Sequence, residues 1–258
     1  MTTGSVAGVR AVILAGGTGV RLHPFGITFP KALMPLGHRP ILEVLINHLV
    51  TFGISDTTLT LGHLAELVKA YFDNYTPLAT QVRLRYVRED KPMGTAGSLA
   101  SVPDLNETFL VLNADLLTDL DFNALLSFHR RQGAALTIAT HRRRVKIDLG
   151  VLERGDDYRV IGYHEKPEYD YKVSMGAYVF EPSVLQLIKP GRYLGFPDLV
   201  PKLIAAGEKV CAMPCDCLWL DIGQPDDYNR AQEIYNVPVH QRSSLQGGTA
   251  GADASYSR

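Results

Sequence analysis

The 258-residue sequence contains no apolar run near the roughly 20 residues that cross a bilayer. Its opening stretch, Met1 to Arg10, lacks the apolar core of a signal peptide, so a cytoplasmic location and no membrane partner are expected. Charge of one sign is also missing. The 26 Lys and Arg against 27 Asp and Glu leave a formal charge of -1, which excludes a long-range field that recruits nucleic acid. Any bound anion must therefore be caught by a local site. Cysteine is scarce: Cys211, Cys215 and Cys217 lie close together, but no further Cys or His pair stands at zinc-ligand spacing. They are read as reduced thiols on or beside a buried strand. The eight histidines are scattered, and neither a Gly-x-Ser-x-Gly elbow nor a cysteine in a nucleophile context occurs, so acyl transfer has no support. What is present, 46% hydrophobic and 21% charged residues, is enough for one large domain or two closely packed lobes.

Residues 9–15 form a near-continuous apolar run closed by Gly16-Gly17, the pattern of a strand buried on both faces of a parallel sheet. Residues 41–52 repeat apolar side chains at helical spacing and stop at Gly53. Strands are expected at 57–61, 82–87 and 109–112, alternating with amphipathic stretches at 63–71 and 96–102. That alternation argues for an α/β doubly wound sheet. The second half changes rhythm, with short strand-like pieces at 135–140, 151–153, 160–163 and 176–180, which suggests a mixed extension of the sheet. A helix at 199–206, a strand region at 209–220 and a closing helix at 225–235 complete the domain, taken as residues 1–237. Residues 238–258, rich in Gln, Ser, Gly, Thr and Ala, are expected to be a disordered tail.

The glycine turn decides the chemistry. In Leu14-Ala-Gly16-Gly17-Thr-Gly19-Val20-Arg21, glycines directly after a buried strand bring backbone N–H groups close to an anion, and Arg21 and Lys31 add charge. A dinucleotide fingerprint fails because Leu22 stands where its third glycine belongs, and a Walker A loop fails for want of Gly-Lys-Ser/Thr. What remains, with Pro30-Lys31-Ala32-Leu33-Met34-Pro35, resembles the opening of the sugar-1-phosphate nucleotidylyltransferase family. Val20 replaces the Thr usual in that family. Four further blocks extend the resemblance in correct order to about residue 235: Asn113-Ala114-Asp115, Glu89 to Ser98, Glu165-Lys166-Pro167 and Trp219-Leu-Asp221-Ile-Gly223.

The resemblance implies a Rossmann-like nucleotidyltransferase fold, a mixed sheet flanked by helices. It implies Mg²⁺ on Asp115 and Asp221, and a nucleotide held by Leu14, Gly16, Gly17, Gly19, Glu89 and Gly94. It implies a sugar phosphate held by Gly150, Glu165, Lys166 and Ser174, with Arg21, Lys31, Asp115 and Lys166 as catalytic groups. Two carboxylates suit Mg²⁺, which keeps waters and takes phosphate oxygens. Glu89 can accept both N1–H and the exocyclic amine of guanine, which favours GTP, whereas uracil and thymine offer one imide donor. UTP or dTTP on a hexose 1-phosphate is the alternative, and a non-catalytic NDP-sugar-binding module a more distant one. Ser174 stands where relatives carry Asn, so the sugar stays open between mannose and a related sugar such as a heptose. Asp119 and Asp121 are read as solvated or capping residues, and Arg142, Arg143, Arg144 and Lys146 as a solvated basic loop. Self-association is compatible with the sequence.

Overall fold

In the computed structural model, residues 8–17 and 28–236 are described, so Gly19, Val20, Arg21 and the 238–258 tail lie outside the described residues. The four parallel strands expected near the start are present: β1 (Arg10–Ala15), β4 (Asp56–Leu61), β5 (Arg83–Arg88) and β6 (Phe109–Asn113). Between β1 and β4 come a two-residue hairpin, β2 (Pro35–Leu36) with β3 (Arg39–Pro40), and α1 (Ile41–Thr51). Residue alternation on β1 explains the layers. Ala11 and Ile13 face one core with Leu45 and Leu49 of α1, Phe72 of α2 (Ala65–Asn74) and Leu125 of α4 (Phe122–Gln132). Val12 faces another with Leu99, Phe109, Phe180 and Leu199, the last on α5 (Phe196–Ala205).

The central sheet has seven strands in the order β12 (Val210–Pro214), β8 (Leu136–Lys146), β11 (Glu168–Phe180), β6, β1, β4, β5. The chain builds from β1 outward through β4 and β5, then crosses back so that β6 pairs with β1 on its other edge. In such sheets ligands settle where the order reverses, outside the carboxyl ends of the strands. Here that crevice lies at the ends of β1 and β6. The mixed extension is also present: β11 runs antiparallel to β6 and to β8, and β12 is parallel to β8.

Several boundaries differ from expectation for identifiable reasons. Residues 142–146 are strand and not a solvated loop, because β8 runs on beside the charged start of β11: Arg142 pairs with Asp170, and Arg144 with Asp170 and Glu168. β9 (Val151–Arg154) and β10 (Val160–His164) form a separate hairpin between them. The expected helix at 96–102 is instead a four-residue turn, α3 (Gly94–Gly97), continued as a 3-10 turn over Ser98–Ser101. The Leu194 carbonyl accepts from both Ala96 and Gly97 N–H at 2.9 Å, wedging the 192–194 segment against α3. Gly94 has φ +76°, and a Cβ there would lie 2.5 Å from the Leu194 oxygen. Gly94→Ala is therefore expected to lower unfolding free energy by about 1–3 kcal/mol, read from urea melts; an unchanged midpoint would contradict the packing described.

The expected strand region at 209–220 splits. Its first part is β12, and after the Cys215–Cys217 corner the chain forms β13 (Trp219–Asp221), which pairs not with the main sheet but with β7 (Leu116–Thr118). All three cysteines are free thiols. Burial pushes the Cys217 thiol up to about 11, despite a hydrogen-bond contact with the Thr118 hydroxyl. Cys217 thus stays protonated at pH 8, and iodoacetamide is expected to alkylate it far more slowly in the native protein than in urea. Equal rates would sink that assignment.

Candidate active site

At the carboxyl end of β6 the backbone turns sharply into β7. Ala114 N–H still reaches the Leu14 carbonyl at 3.2 Å, so Asp115 emerges directly beside the end of β1. The β7–β13 ladder then sets Asp221 opposite Leu116, and Ile222 N–H donates to the Asp115 carbonyl at 3.0 Å. Two acidic residues far apart in sequence are thereby held side by side by backbone. Thr118 and Asp119 lock the register: the Thr118 hydroxyl donates to Leu218 O at 2.8 Å, and Asp119 accepts Leu218 N–H at 2.7 Å. Asp119 is thus a tie rather than a solvated residue. Asp121 caps α4, accepting Ala124 N–H at 3.0 Å.

Lys31 enters from the opposite wall on a 3-10 turn, Lys31–Leu33, anchored by buried Ala32 and Leu33. Its ammonium pairs with Asp115 and lies 3.7 Å from Asp221 Oδ1. The Asp221 carboxylate also accepts Gly223 N–H at 2.8 Å, while its own N–H donates to Asp227 on α6 (Pro225–Asn236) at 3.2 Å. Burial raises the pKa of the Asp227 carboxyl.

Asp115 and Asp221 line a cavity of about 150 Å³ together with Asn113, Ser174, Tyr178 and Trp219. Ser174 donates to the Tyr178 hydroxyl at 3.0 Å, and Trp219 Nε1 donates to Met175 O at 2.9 Å. Asn113 Oδ1 is buried with no partner among the described residues, and Gly176, at φ +78°, leaves room for the Asn113 amide. Burial, and secondarily the Asp115 charge, raise the Tyr178 phenol.

The glycine turn and the loop after β5 meet at the neighbouring edge. Glu89 is fixed by its N–H to Leu61 O at 2.7 Å, and its carboxylate accepts Met93 N–H at 3.4 Å. A Cβ on Gly16 would stand 3.0 Å from that carboxylate, and one on Gly62 only 2.7 Å from Gly16 O. Gly16, Gly62 and Glu89 therefore crowd one point. A third group lies on the β9–β10 hairpin and its flanks: Tyr163 donates to Glu165 at 2.7 Å, a Cβ at Gly150 would overlap the Tyr163 hydroxyl, and Lys166 has φ +45°. Among the described residues the cavity lining includes Ser174 but not Gly150, Glu165 or Lys166.

The donor set suits a hard divalent ion. No group of three or more His, Cys, Asp or Glu side chains capable of holding a metal occurs among the described residues, so Asp115 and Asp221 would have to share the ion with water and phosphate oxygens, as Mg²⁺ prefers.

The crossed-over α/β sheet thus sets an acidic pair and a lysine at its switch point. The chain belongs to the nucleotidyl transferase family, whose model matches residues 10–237. It is 32% identical to a UTP–glucose-1-phosphate uridylyltransferase of Synechocystis, over 90% of this chain and 66% of that protein. It is also 32% identical to a mannose-1-phosphate guanylyltransferase of Mycobacterium tuberculosis, over 93% of this chain and 68% of the relative. The chain thus spans about two thirds of the length of these curated relatives. HddC from Yersinia pseudotuberculosis, solved complexed with GMP-PN, has the same fold with a TM-score of 0.67 at 23% identity, covering 88% of this chain and 99% of that one. No helix among the described residues is long and apolar enough to cross a membrane.

The structure brings Lys31, Asp115, Asp221 and Ser174 to one place and Gly16 and Glu89 to another, whereas the sequence reading grouped Ser174 with Gly150, Glu165 and Lys166. That reading did not single out Asn113, Tyr178, Trp219 or Gly62, although three of these stand inside or beside the motifs it used. Only tertiary packing reveals the unpaired Asn113 oxygen.

Proposed function

We propose that this protein transfers a nucleotidyl group, with GTP favoured, from a nucleoside triphosphate to a sugar 1-phosphate. A phosphate oxygen of the sugar 1-phosphate attacks the α-phosphorus, the bond to the β-phosphate bridging oxygen breaks, and pyrophosphate leaves with its electron pair. The convergence of Lys31, Asp115 and Asp221 at the sheet's switch point carries this reading. The nucleophile is already an anion near neutral pH, so the chain need supply no general base. Its task is alignment and charge neutralisation. Mg²⁺ held by Asp115 and Asp221 would neutralise charge on the phosphates.

The N–H groups of Gly16, Gly17 and Gly19, with Arg21, hold the β- and γ-phosphates, and Lys31 lies near the leaving group. Leu14, Gly94 and Glu89 take the nucleoside, Lys166 holds the incoming phosphate, and Glu165, Gly150 and Ser174 the sugar. Residues 1–237 form the catalytic unit, in the cytoplasm. The M. tuberculosis relative supports guanine and, among sugars, mannose; the Synechocystis relative supports a uridylyl reading as the runner-up. A pyrophosphate-release panel crossing four NTPs with several sugar 1-phosphates separates them. Preference for GTP supports the guanine assignment, and preference for UTP or dTTP overturns it.

A further inference from the structure

We infer that Lys31 is the resident cation of the Asp115–Asp221 pair and that a divalent ion enters only by displacing it, so that nucleotide and metal bind cooperatively. The inference rests on the reading of these two aspartates as the metal carboxylates. Backbone fixes the two side by side, through the β7–β13 register and the Ile222 N–H to Asp115 O bond, whether or not a metal is bound. Two carboxylates so placed repel each other unless a cation lies between them. Lys31 supplies that cation: its ammonium contacts Asp115, lies 3.7 Å from Asp221, and its side chain is only 14% exposed.

One ammonium and one divalent ion thus compete for the same oxygens. The Lys31 backbone is held by Leu33 N–H to Pro30 O and Met34 N–H to Lys31 O, and by the buried Ala32 and Leu33. Exchange must therefore be a swing of the flexible side chain, away from the carboxylates. A triphosphate on the neighbouring glycine turn offers the displaced ammonium a new anion. Among the described residues Lys31 has no ion-pair partner other than these two carboxylates, so metal alone leaves it none there. The two ligands consequently favour one another, in both directions, as linkage requires.

Mn²⁺ titrated into the nucleotide-free full chain, followed by the EPR signal of the free ion, tests this without any turnover. Lys31→Met, or Lys31→Gln should the first variant fold poorly by circular dichroism, is expected to bind Mn²⁺ about tenfold tighter than wild type, the effect of removing a competitor worth about 1.4 kcal/mol. Arg143→Met controls for lost charge, since Arg143 acts on Asp227 without occupying the carboxylate pair; its affinity is expected to stay within about twofold of wild type, in line with weak exposed charges. Asp115→Asn is expected to bind least. If wild type binds and Asp115→Asn does not, while the Lys31 variants bind no tighter, the exchange is wrong and the metal site stands. The exchange also falls if Arg143→Met tightens binding as much as the Lys31 variants do. If no form binds, or Asp115→Asn binds like wild type, the metal-site reading itself falls.

Discussion

Asp115→Ala is expected to lower kcat by about a thousandfold or more, since under the proposed function Asp115 would hold the Mg²⁺ that neutralises charge on the phosphates. The fold should survive. The β7–β13 pairing uses the Asp115 carbonyl, which alanine retains, and Lys31 keeps Asp221 as a partner. The melting temperature should therefore shift by only a few degrees, about the effect of 1 kcal/mol. Because the proposed function has Asp115 and Asp221 hold one ion together, adding Asp221→Ala should cost little more than either change alone. Retained magnesium-dependent turnover in Asp115→Ala would remove Asp115 from the mechanism, whereas loss of the native circular dichroism would make it a structural residue.

Glu89→Gln is expected to cut kcat/KM with GTP by about 10- to 100-fold, because a charge-assisted hydrogen bond to the guanine edge is worth about 1.5–3 kcal/mol. Turnover with UTP should change far less. Glutamine keeps an oxygen that can accept Met93 N–H, so the loop against Gly16 should stay in place. The diagnostic quantity is the ratio of GTP to UTP efficiency before and after substitution. An equal fall with both would make Glu89 a support for the glycine turn rather than a reader of the base.

Much of this architecture was legible in the residue pattern because the controlling signals are local. A near-continuous seven-residue apolar run ending in Gly16-Gly17 has the length and glycine flank of a buried strand followed by a tight turn, and the α1 periodicity ends at Gly53, whose φ is +79°. Asp115 just after β6 and Asp221 at the end of β13 stood out for the same reason, and the resemblance supplied their partnership. Signals that depend on distant partners were less legible. Arg142 to Lys146 reads as exposed and basic until Asp170 and Glu168 lie across from it. The stretch after Gly94 has helical composition, yet the Leu194 carbonyl captures its N–H groups and shortens it. The region after Pro214 looks continuous in hydropathy, but its last strand leaves the main sheet to pair with β7 and so creates the site. α4, which has both an Asp121 cap and a Gly133 stop, carried signals that were there to be used.

The proposed passage of a nucleotidyl group to a sugar 1-phosphate is followed most directly by ³¹P NMR of the protein with GTP, mannose 1-phosphate and Mg²⁺. The predicted spectrum shows the sugar monophosphate resonance disappearing while a diphosphate diester and free pyrophosphate grow in equal amounts, with EDTA abolishing both. Unchanged substrates across the full set of nucleotides and sugar phosphates, or GTP hydrolysed while the sugar phosphate persists, would contradict it.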